Sequence, residues 1–328
     1  MFNNKKILIT GGTGSFGKSF VERLIKKYKN ISKLIIFSRD EFKQYEMQQI
    51  YSPKRFKFLR YFIGDVRDKD RLDFAFKDVD YVIHAAALKQ VNTAEYNPFE
   101  FIHTNIIGAK NVIESAINRD VKKVLALSTD KACSPINLYG ATKLCSDKLF
   151  CSANNIVGKS IRTKFSVVRY GNVFASRGSI IPLFIKQNKE KRDFTLTDQN
   201  MTRFNIFMNN AIDTVEWSLL NMKGSEIIVP KLKSFRIIDL IKAINKKPKI
   251  KLIGIRAGEK IHEELISESD SRLTIDIGNY YIILPEKKFF TKYKYKKLPK
   301  QFVYRSDINK EKLNVSQIKK ILKENNVL

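Results

Sequence analysis

A glycine-rich turn near the N-terminus constrains the fold of this chain more than any other feature. The segment TGGTGSFG follows a short apolar run at 6–10 and precedes apolar residues repeated at helical spacing. In such a strand–turn–helix context, glycines permit a tight turn, close approach to a pyrophosphate and close helix packing. The free N–H groups that open the helix also favour phosphate. We therefore predict a dinucleotide site formed by Gly11, Thr13, Gly14, Ser15, Phe16 and Gly17.

Strand and helix patterns alternate through the first half of the chain. Strands are predicted at 34–37, 58–63, 81–86, 124–127 and 165–168, and helices at 98–119 and 138–155. Alternation of this kind predicts an α/β fold, here a Rossmann-type doubly wound parallel sheet. Beyond about residue 171 the elements shorten and prolines interrupt them. We expect an NADP-binding Rossmann domain over 1–170. Residues 171–328 would form mainly a smaller C-terminal α/β substrate-binding lobe, with some elements returning to the Rossmann sheet.

The residues after the second predicted strand bear on the choice of cofactor. An acidic side chain at such a strand end binds the ribose 2′-hydroxyl of NAD, whereas an arginine suits the 2′-phosphate of NADP. The strand at 34–37 is followed by Ser38, Arg39 and Asp40. Arg39, with Ser38 beside it, predicts NADP, although the adjacent Asp40 is acidic.

The charge of the chain admits two interpretations. Its 61 basic and 33 acidic residues give a net charge of +28, which would attract a nucleic acid. However, the lysines are spread along the whole chain and no nucleic-acid motif accompanies them. A lysine-rich surface without a nucleic-acid partner is therefore favoured, and its field would also attract an anionic nucleotide sugar. The densest basic segment, 287–300, is expected to be an exposed edge strand or loop.

Several classes of protein are disfavoured by what the sequence does not contain. No apolar run approaches the roughly 18 residues of a membrane span, and the N-terminus does not resemble a secretory signal. We therefore expect a soluble, cytoplasmic protein with no membrane partner. The three cysteines and three histidines show no metal-ligand spacing, so we expect no metal site and reduced thiols.

A tyrosine and a lysine in one predicted helix suggest the chemistry. Tyr139 and Lys143 are four residues apart, which places both side chains on one helix face. A nearby ammonium is expected to lower the pKa of the tyrosine, which could then accept a hydroxyl proton while hydride passes to a nicotinamide. The polar run Ser128, Thr129, Asp130 and Lys131 precedes this pair at the end of a predicted parallel strand, where α/β sheets bind ligands.

A family resemblance rests on motifs spread nearly from end to end of the chain. These are TGGTGSFG, GDVRD at 64–68, HAAALKQV at 84–91, STDKA at 128–132, YGATK at 139–143, RYGNV at 169–173, SRGS at 176–179, MTRF at 201–204 and RAGEK at 256–260. Together they resemble the extended short-chain dehydrogenases. More narrowly, they resemble the soluble UDP-N-acetylglucosamine 4,6-dehydratases that invert carbon 5 and begin pseudaminic acid synthesis.

The resemblance implies a role for each catalytic candidate. Tyr139 would take the carbon 4 hydroxyl proton as hydride passes to NADP⁺. Lys131 would then remove the carbon 5 proton while Asp130 protonates the departing carbon 6 hydroxyl. A neutral Lys131 is required for this, and desolvation near Lys143 is expected to lower its pKa. Thr129 would orient the 4-hydroxyl.

The same resemblance implies a set of binding residues. Asp65 and Val66 would flank the adenine, and Ala85, Ala86 and Lys89 would line the cofactor, with Lys89 also reaching the substrate. The UDP group would be held by Asn172, Arg177, Arg203, Arg256 and Glu259. Relatives pair through helices beside the active site, so we expect a homodimer or a larger homo-oligomer.

Four alternative functions remain open at this point. They are the dehydratase and 5-epimerase of N-acetyl-L-fucosamine synthesis, a retaining 4,6-dehydratase, a nucleotide-sugar 4-epimerase, and a basic nucleic-acid-binding protein with a vestigial dinucleotide fold. An epimerase would share Tyr139 and Lys143 but would not need the pair at 130–131. Departures from the family pattern at Asn92, Asn205 and Ala257 lie in loops near the substrate and bear on substrate choice.

Overall fold

A nine-stranded sheet forms the centre of the molecule in the computed structural model, which describes residues 1–157, 163–174, 179–325 and 327–328. The strands of the N-terminal half are β1 Lys6–Thr10, β2 Lys33–Ser38, β3 Leu59–Ile63, β4 Tyr81–His84, β5 Lys123–Thr129, β6 Lys164–Tyr170 and β7 Asn172–Val173. Those that follow are β8 Phe194–Leu196, β9 Thr202–Ile206, β10 Ile227–Pro230, β11 Lys233–Arg236, β12 Ile250–Leu252, β13 Glu264–Ile266, β14 Thr274–Asp276, β15 Tyr280–Ile283 and β16 Tyr304–Arg305.

The helices alternate with these strands through the first half of the chain. They are α1 Ser15–Lys27, α2 Glu41–Ile50, α3 Lys69–Ala75, α4 Val91–Tyr96, α5 Pro98–Ile102, α6 Gly108–Asn118, α7 Leu138–Ile156, α8 Ile180–Lys189, α9 Met208–Asn221, α10 Ile237–Ile244, α11 Glu268–Ser271 and α12 Val315–Glu324. Helix α1 contacts α9, while α6 contacts both α3 and α7. These two groups flank the sheet, as the alternating pattern predicts.

The order of the strands defines where a ligand can bind. The sheet runs β14-β15-β10-β6-β5-β4-β1-β2-β3. The strands from β10 to β3 pair in parallel, and β15 and β14 are added antiparallel at one edge. The chain moves outward from β1 through β2 to β3 and then crosses to β4 on the other side of β1. This reversal confirms the doubly wound fold class and opens a crevice at the carboxyl ends of β1 and β4.

The predicted elements of the first half are present with small differences at their ends. Strand β4 ends at His84 rather than at residue 86, and β5 extends to Thr129. The helix expected at 98–119 is divided by a π-helical segment, His103–Ile107, which lies between α5 and α6. A π-helical turn inside a helix often marks a functional position, and this segment contributes a side chain to the site described below.

Residues beyond 171 build two kinds of structure. Strands β10, β14 and β15 extend the main sheet. Helices α8, α10 and α12 pack into a second hydrophobic cluster that includes Phe184, Leu240 and Leu322. The basic segment at 287–300 forms a short 3₁₀ turn, Lys287–Lys292, followed by extended chain, with most of its side chains exposed. The division at residues 170 and 171 stays a prediction. Within the described ranges, no helix is both long and apolar enough to cross a membrane.

Helix α1 packs against the turn that follows β1 at backbone distance. A Cβ atom placed on Gly17, in the first turn of α1, would lie 2.4 Å from the carbonyl oxygen of Gly12. Contacts below 3.0 Å to backbone atoms cannot be relieved by a rotamer change, so the helix would have to move. Gly17 thus sets the position of the helix N-terminus beside β1.

We expect Gly17→Ala to lower the free energy of unfolding by about 3 kcal/mol, because the added methyl group overpacks a backbone contact. Gly278→Ala is the control. Gly278 has a φ of 97° but open space around its Cβ position, so it should cost only about 1 kcal/mol of backbone strain. Urea denaturation followed by circular dichroism measures both. Equal losses would show that α1 can move away from the turn at little cost.

Candidate active site

The glycine-rich turn is held against the end of β4. Gly11 has a φ of 66°, and a Cβ atom there would lie 2.9 Å from the Cα of Ala86. The hydroxyl of Thr10 accepts hydrogen bonds of 3.2 Å from the backbone N–H groups of Ala85 and Ala86. The same hydroxyl lies 2.9 Å from Nδ1 of His84, a buried ring whose pKa is lowered to about 3 by burial and by Lys143. His84 is therefore neutral, and its ring links β4 to the start of the turn through Thr10.

The mouth of the turn presents the groups that a pyrophosphate needs. Gly14 stands at the N-cap position of α1, so the first N–H groups of that helix are directed out of the turn. The nearest atom to a Cβ at Gly14 is the carbonyl oxygen of Gly11 at 3.2 Å, which leaves its other side open. The hydroxyl of Thr13 hydrogen-bonds that of Ser38 at 2.7 Å and ties the turn to the end of β2.

Arginine and aspartate at the end of β2 have different partners. Asp40 is the N-cap residue of α2, and its Oδ1 accepts a 2.9 Å hydrogen bond from the N–H of Lys43. The carboxylate of Asp40 is therefore engaged in capping α2. Arg39 is half exposed, and its Nη1 lies 3.4 Å from Oδ2 of Asp65. Burial opposes ionisation of Asp65, but hydrogen bonds from Arg67 prevail and its pKa is lowered.

A cleft of about 320 Å³ extends from Arg39 along the loop that follows β4, with Lys89 in its lining. Asn105, from the π-helical segment, holds this loop: its side chain donates to the carbonyl of Leu88 and accepts from its N–H, both at 2.9 Å. Its amide also donates to the hydroxyl of Thr142 on α7, at 3.0 Å. Sequence reasoning missed Asn105, because a single asparagine within a helical pattern carries no distinguishing signal.

Tyr139 and Lys143 lie on one face of α7, as their spacing predicts, and both are buried. The expected lowering of the tyrosine pKa is wrong. Burial raises the pKa of Tyr139 to about 12, and this outweighs the opposing charge of Lys131 and a hydrogen bond with Thr129. The ammonium of Lys143 donates instead to the carbonyl of Leu127, at 3.0 Å, and burial lowers the pKa of Lys143.

A buried ionic network begins one helical turn after Lys143 on α7. Asp147, one turn further along α7, accepts a 2.8 Å hydrogen bond from the hydroxyl of Ser128. It also lies 3.4 Å from a guanidinium nitrogen of Arg169 on β6, and both side chains are 1% exposed. Arg169 reaches Asp270 on α11, at 3.2 Å. The network joins the Rossmann strands to the C-terminal part of the chain directly beneath the site.

The carboxyl end of β5 carries the densest group of charges. Nζ of Lys131 lies 3.1 Å from Oδ1 of Asp130 and also 3.1 Å from Oε1 of Glu263. It also lies 3.4 Å from the side-chain oxygen of Asn172 on β7. The hydroxyl of Thr129 donates to Oδ1 of Asp130 at 3.0 Å. One ammonium therefore stands between two carboxyl groups that are almost completely buried.

The pKa values in this cluster correct one of our expectations. We expected a lowered pKa for Lys131, which would make it neutral. Burial does act in that direction, but the charges of Asp130 and Glu263 outweigh it and raise the pKa. The pKa of Asp130 is raised by burial and by the charge of Glu263. Burial also opposes ionisation of Glu263, yet Lys131 and Arg203 keep its pKa low. Burial thus favours the neutral form of Asp130, while Lys131 is held as an ammonium beside an ionised Glu263.

The structure brings some of the predicted UDP-binding residues to this cluster. Arg203 is 8% exposed, and its Nε lies 3.6 Å from Oε1 of Glu263 while Nη2 lies 3.7 Å from Oε1 of Glu259. Arg256 is exposed, and it lies at the start of the loop that contains Glu259. That loop is tied to the start of α7, because the amide of Asn137 donates to the carbonyl of Gly258 at 2.7 Å. Arg177 lies outside the described residues.

The segment before β13 is extended, and His262 forms a parallel bridge there with Thr202 of β9. The β9 strand and the extended segment together direct Arg203 and Glu263 toward β5. Glu263 was therefore missed, since its partner is distant in sequence. Across the described parts of the chain, no group of three or more histidine, cysteine or acidic residues is arranged to hold a metal ion.

The chain is similar to several known proteins. A profile of the family described as "Polysaccharide biosynthesis protein" matches residues 7–285. An inverting UDP-N-acetylglucosamine 4,6-dehydratase from Campylobacter jejuni is 54% identical over 293 residues, which cover 89% of this chain and 86% of that protein. A UDP-glucose 4-epimerase from Rickettsia bellii is 43% identical over 98% of this chain and 96% of its own length.

Two solved structures show the same fold. The crystal structure of Pen from Bacillus thuringiensis is 37% identical, covers both chains completely and superposes with a TM-score of 0.92. A dTDP-glucose 4,6-dehydratase from Streptomyces venezuelae, solved with NAD and TYD bound, is 19% identical with a TM-score of 0.70. It covers 78% of this chain and 86% of its own, and at that identity it supports the fold alone.

We expect Arg169→Met to lower the free energy of unfolding by about 3 kcal/mol, because it leaves Asp147 buried without its counter-charge. The matched control is Arg192→Met, which removes an exposed pair with Glu190 and should cost less than about 1 kcal/mol. Chemical denaturation of both variants gives the comparison. A loss at Arg169 no larger than at Arg192 would mean that Asp147 does not depend on the guanidinium.

Proposed function

The chain belongs to the polysaccharide biosynthesis protein family, and from that premise we propose that it is a UDP-N-acetylglucosamine 4,6-dehydratase that inverts carbon 5. The product would be UDP-2-acetamido-2,6-dideoxy-β-L-arabino-hex-4-ulose. The observation that carries this proposal is the pair formed at the end of β5 by Asp130, which is buried, and Lys131, whose side chain is 22% exposed. Elimination of water across carbons 5 and 6 requires one acid and one base at neighbouring positions.

The pair of Asp130 and Lys131 also favours a dehydratase over the 4-epimerase activity named among the relatives. Epimerisation at carbon 4 requires a proton acceptor for one hydroxyl and a hydride acceptor, and Tyr139 supplies the first. It involves no bond at carbon 5 or carbon 6. A buried cluster of two carboxyl groups and an ammonium is costly to form, because each charge loses its hydration. Its presence beside Tyr139 therefore favours the dehydratase.

Each proton transfer of the proposed reaction is assigned to a residue of the chain. Tyr139, oriented by Thr129, would take the proton of the 4-hydroxyl as a phenolate, the form that the positive charge of a bound NADP⁺ would favour. NADP⁺, when bound, would accept hydride from carbon 4 and return it to carbon 6. The resulting ketone acidifies the carbon 5 proton, which Lys131 removes. Asp130, whose neutral form is favoured because burial raises its pKa, donates a proton to the leaving 6-hydroxyl. A proton is then delivered to the opposite face of carbon 5.

The residues around the glycine-rich turn suit a dinucleotide with a 2′-phosphate. The open side of Gly14 and the start of α1 would hold the pyrophosphate, with Ala85 and Ala86 beneath it. Asp65 and Val66 would flank the adenine. Arg39 would leave Asp65 and pair with the 2′-phosphate. A phosphate forms a stronger charge-assisted hydrogen bond with arginine than a carboxylate that is shared with another partner. Asp40 does not compete for the ribose, since it caps α2.

We assign the UDP group to the opposite side of the cluster. Arg203 and Arg256 would pair with the diphosphate, and Asn172 and Glu259 would bind the remaining polar groups. Arg177 and Lys89 complete this proposed set. We further propose a cytoplasmic homo-oligomer, consistent with the exposed Tyr96 and Phe99 at α4 and α5 beside the site. We place its product in pseudaminic acid synthesis for flagellin or surface glycans.

Proton NMR of UDP-N-acetylglucosamine incubated with the purified protein in deuterated water tests the function. We expect a 4-keto-6-deoxy product with the L-arabino configuration and deuterium at carbon 5. Lys131→Ala, purified in the same way, should give no elimination. A D-xylo product would contradict inversion, and an unchanged substrate spectrum with wild-type protein would contradict the dehydratase itself.

Arg39→Ala should weaken NADP binding by about 10- to 100-fold, because a charge-assisted hydrogen bond to phosphate contributes about 1.5–3 kcal/mol. NAD binding should change by less than about threefold, since NAD lacks that phosphate. Isothermal titration calorimetry measures both dissociation constants. The control is Arg60→Ala, an exposed arginine on β3 that bonds only nearby backbone carbonyls. Equal losses for NADP and NAD would contradict the role of Arg39.

A further inference from the structure

Glu263 is a charged group of the cluster, among the residues that the structure describes, to which the proposed reaction assigns no role. It lies immediately before β13, in the C-terminal half, and its side chain is 2% exposed. Its Oε1 is as close to Nζ of Lys131 as Asp130 is, at 3.1 Å. The N–H of Glu263 is fixed by a 2.9 Å hydrogen bond to the hydroxyl of Ser306, so the residue is held in place.

The charges in the cluster leave Lys131 without a free electron pair. A base must be neutral, yet Lys131 faces two carboxyl groups that favour its ammonium form. Asp130 cannot relieve this, because it must keep its own proton for the leaving hydroxyl. Some other group has to hold the lysine proton while Lys131 acts at carbon 5. Among the described residues, Glu263 is the other carboxylate that contacts Nζ of Lys131.

Glu263 has the capacity to take that proton. Among the residues that the structure describes, its Oε2 is buried and has no hydrogen-bond partner, and the same holds for Oδ2 of Asp130. Its other charged neighbours are Arg203, at 3.6 Å, and Lys260, which acts on it only through its charge. Both keep Glu263 ionised at rest, as a proton acceptor must be.

We propose that Glu263 is the positioning residue that makes Lys131 a base, by accepting the proton of the Lys131 ammonium on its Oε1 when substrate fills the site. The inference rests on the proposed dehydratase function. It deepens that function by assigning the origin of the neutral amine. When substrate excludes water, an ion pair loses more stabilisation than the corresponding neutral pair, so the proton shifts from nitrogen to oxygen.

The proton balance of the step closes within the cluster. A proton leaves Nζ of Lys131, and an O–H bond forms on Glu263. The freed electron pair of Lys131 takes the carbon 5 proton, and the electrons of that C–H bond form the double bond to carbon 6 as the hydroxyl departs. Asp130 supplies the proton that makes water. Carbon 5 takes a proton from water on its opposite face, Glu263 passes its proton back through Lys131 to Asp130, and Tyr139 releases to water the proton that it took from the 4-hydroxyl, so that no net acid and no oxidant are consumed.

A single-turnover experiment with Glu263→Gln, loaded with NADP⁺ and mixed with UDP-N-acetylglucosamine, separates the two halves of the reaction. Oxidation at carbon 4 should proceed within about threefold of the wild-type rate, because Tyr139 is untouched. Elimination should slow by at least about 100-fold, the usual contribution of a general base. The signature is reduced nicotinamide that accumulates, seen by its absorbance, together with a lag in deuterium entry at carbon 5.

Two further variants distinguish this role from a structural one. Glu263→Asp keeps an ionisable carboxyl and should eliminate water faster than Glu263→Gln. Glu216→Gln removes another buried carboxylate, paired with Lys27 on the far side of the protein, and should behave like wild type. The proposal is overturned if Glu263→Gln accumulates no reduced nicotinamide, if oxidation falls together with elimination, or if the Asp variant is as slow as the Gln variant.

A measurement without substrate or cofactor checks the contact itself. The pH dependence of reductive methylation at Lys131, followed by mass spectrometry, gives the midpoint at which the amine becomes reactive. That midpoint should fall in Glu263→Gln, because the substitution removes the carboxylate that stabilises the ammonium of Lys131. An unchanged midpoint would overturn the proposal. A wild-type protein that makes no 4-keto-6-deoxy sugar would instead reject the dehydratase function, whatever the midpoint.

Discussion

The contact between the backbones of Gly17 and Gly12 is the constraint on which the rest of the structure depends. Because α1 approaches the turn after β1 within the distance of a missing methyl group, its N-terminus lies directly at the end of β1. Strand β4 is then joined to the same turn through Thr10. The crevice at the reversal of strand order is thereby fixed in shape, and β5, next to β4, places its last residues beside that crevice.

The charged cluster at the end of β5 is the second consequence of this arrangement. Neither Asp130 nor Lys131 could be buried alone, because an isolated charge loses several kcal/mol of hydration. The C-terminal half resolves this by supplying Glu263 and Arg203, which alternate in sign with the groups on β5. The site is therefore assembled only when both halves of the chain are folded, and Arg169 joins the two halves beneath it.

The sequence was sufficient for the Rossmann strands, because buried parallel strands are continuous apolar runs and a glycine turn has strict steric requirements. It also located Tyr139, Lys143, Asp130 and Lys131 at one edge of the sheet. It failed where a property depends on a distant partner. The ionisation of Lys131 was misjudged because Glu263 approaches it from an extended segment that has no periodic pattern. Asn105 was missed because its role depends on a π-helical turn, and no residue pattern in this sequence predicts such a turn.

The two activities named among the relatives differ in what they demand of this cluster. A 4-epimerase must move only the hydride and proton of carbon 4, and a neutral or apolar surface would suffice near carbons 5 and 6. This chain instead buries Asp130, whose pKa is raised by burial, beside an ammonium that already faces a second carboxyl group, that of Glu263. Such a cluster is stable only because its charges alternate, and it becomes reactive only if one proton moves from nitrogen to oxygen. The proton transfer that we propose would therefore be favoured when substrate excludes water from the cluster.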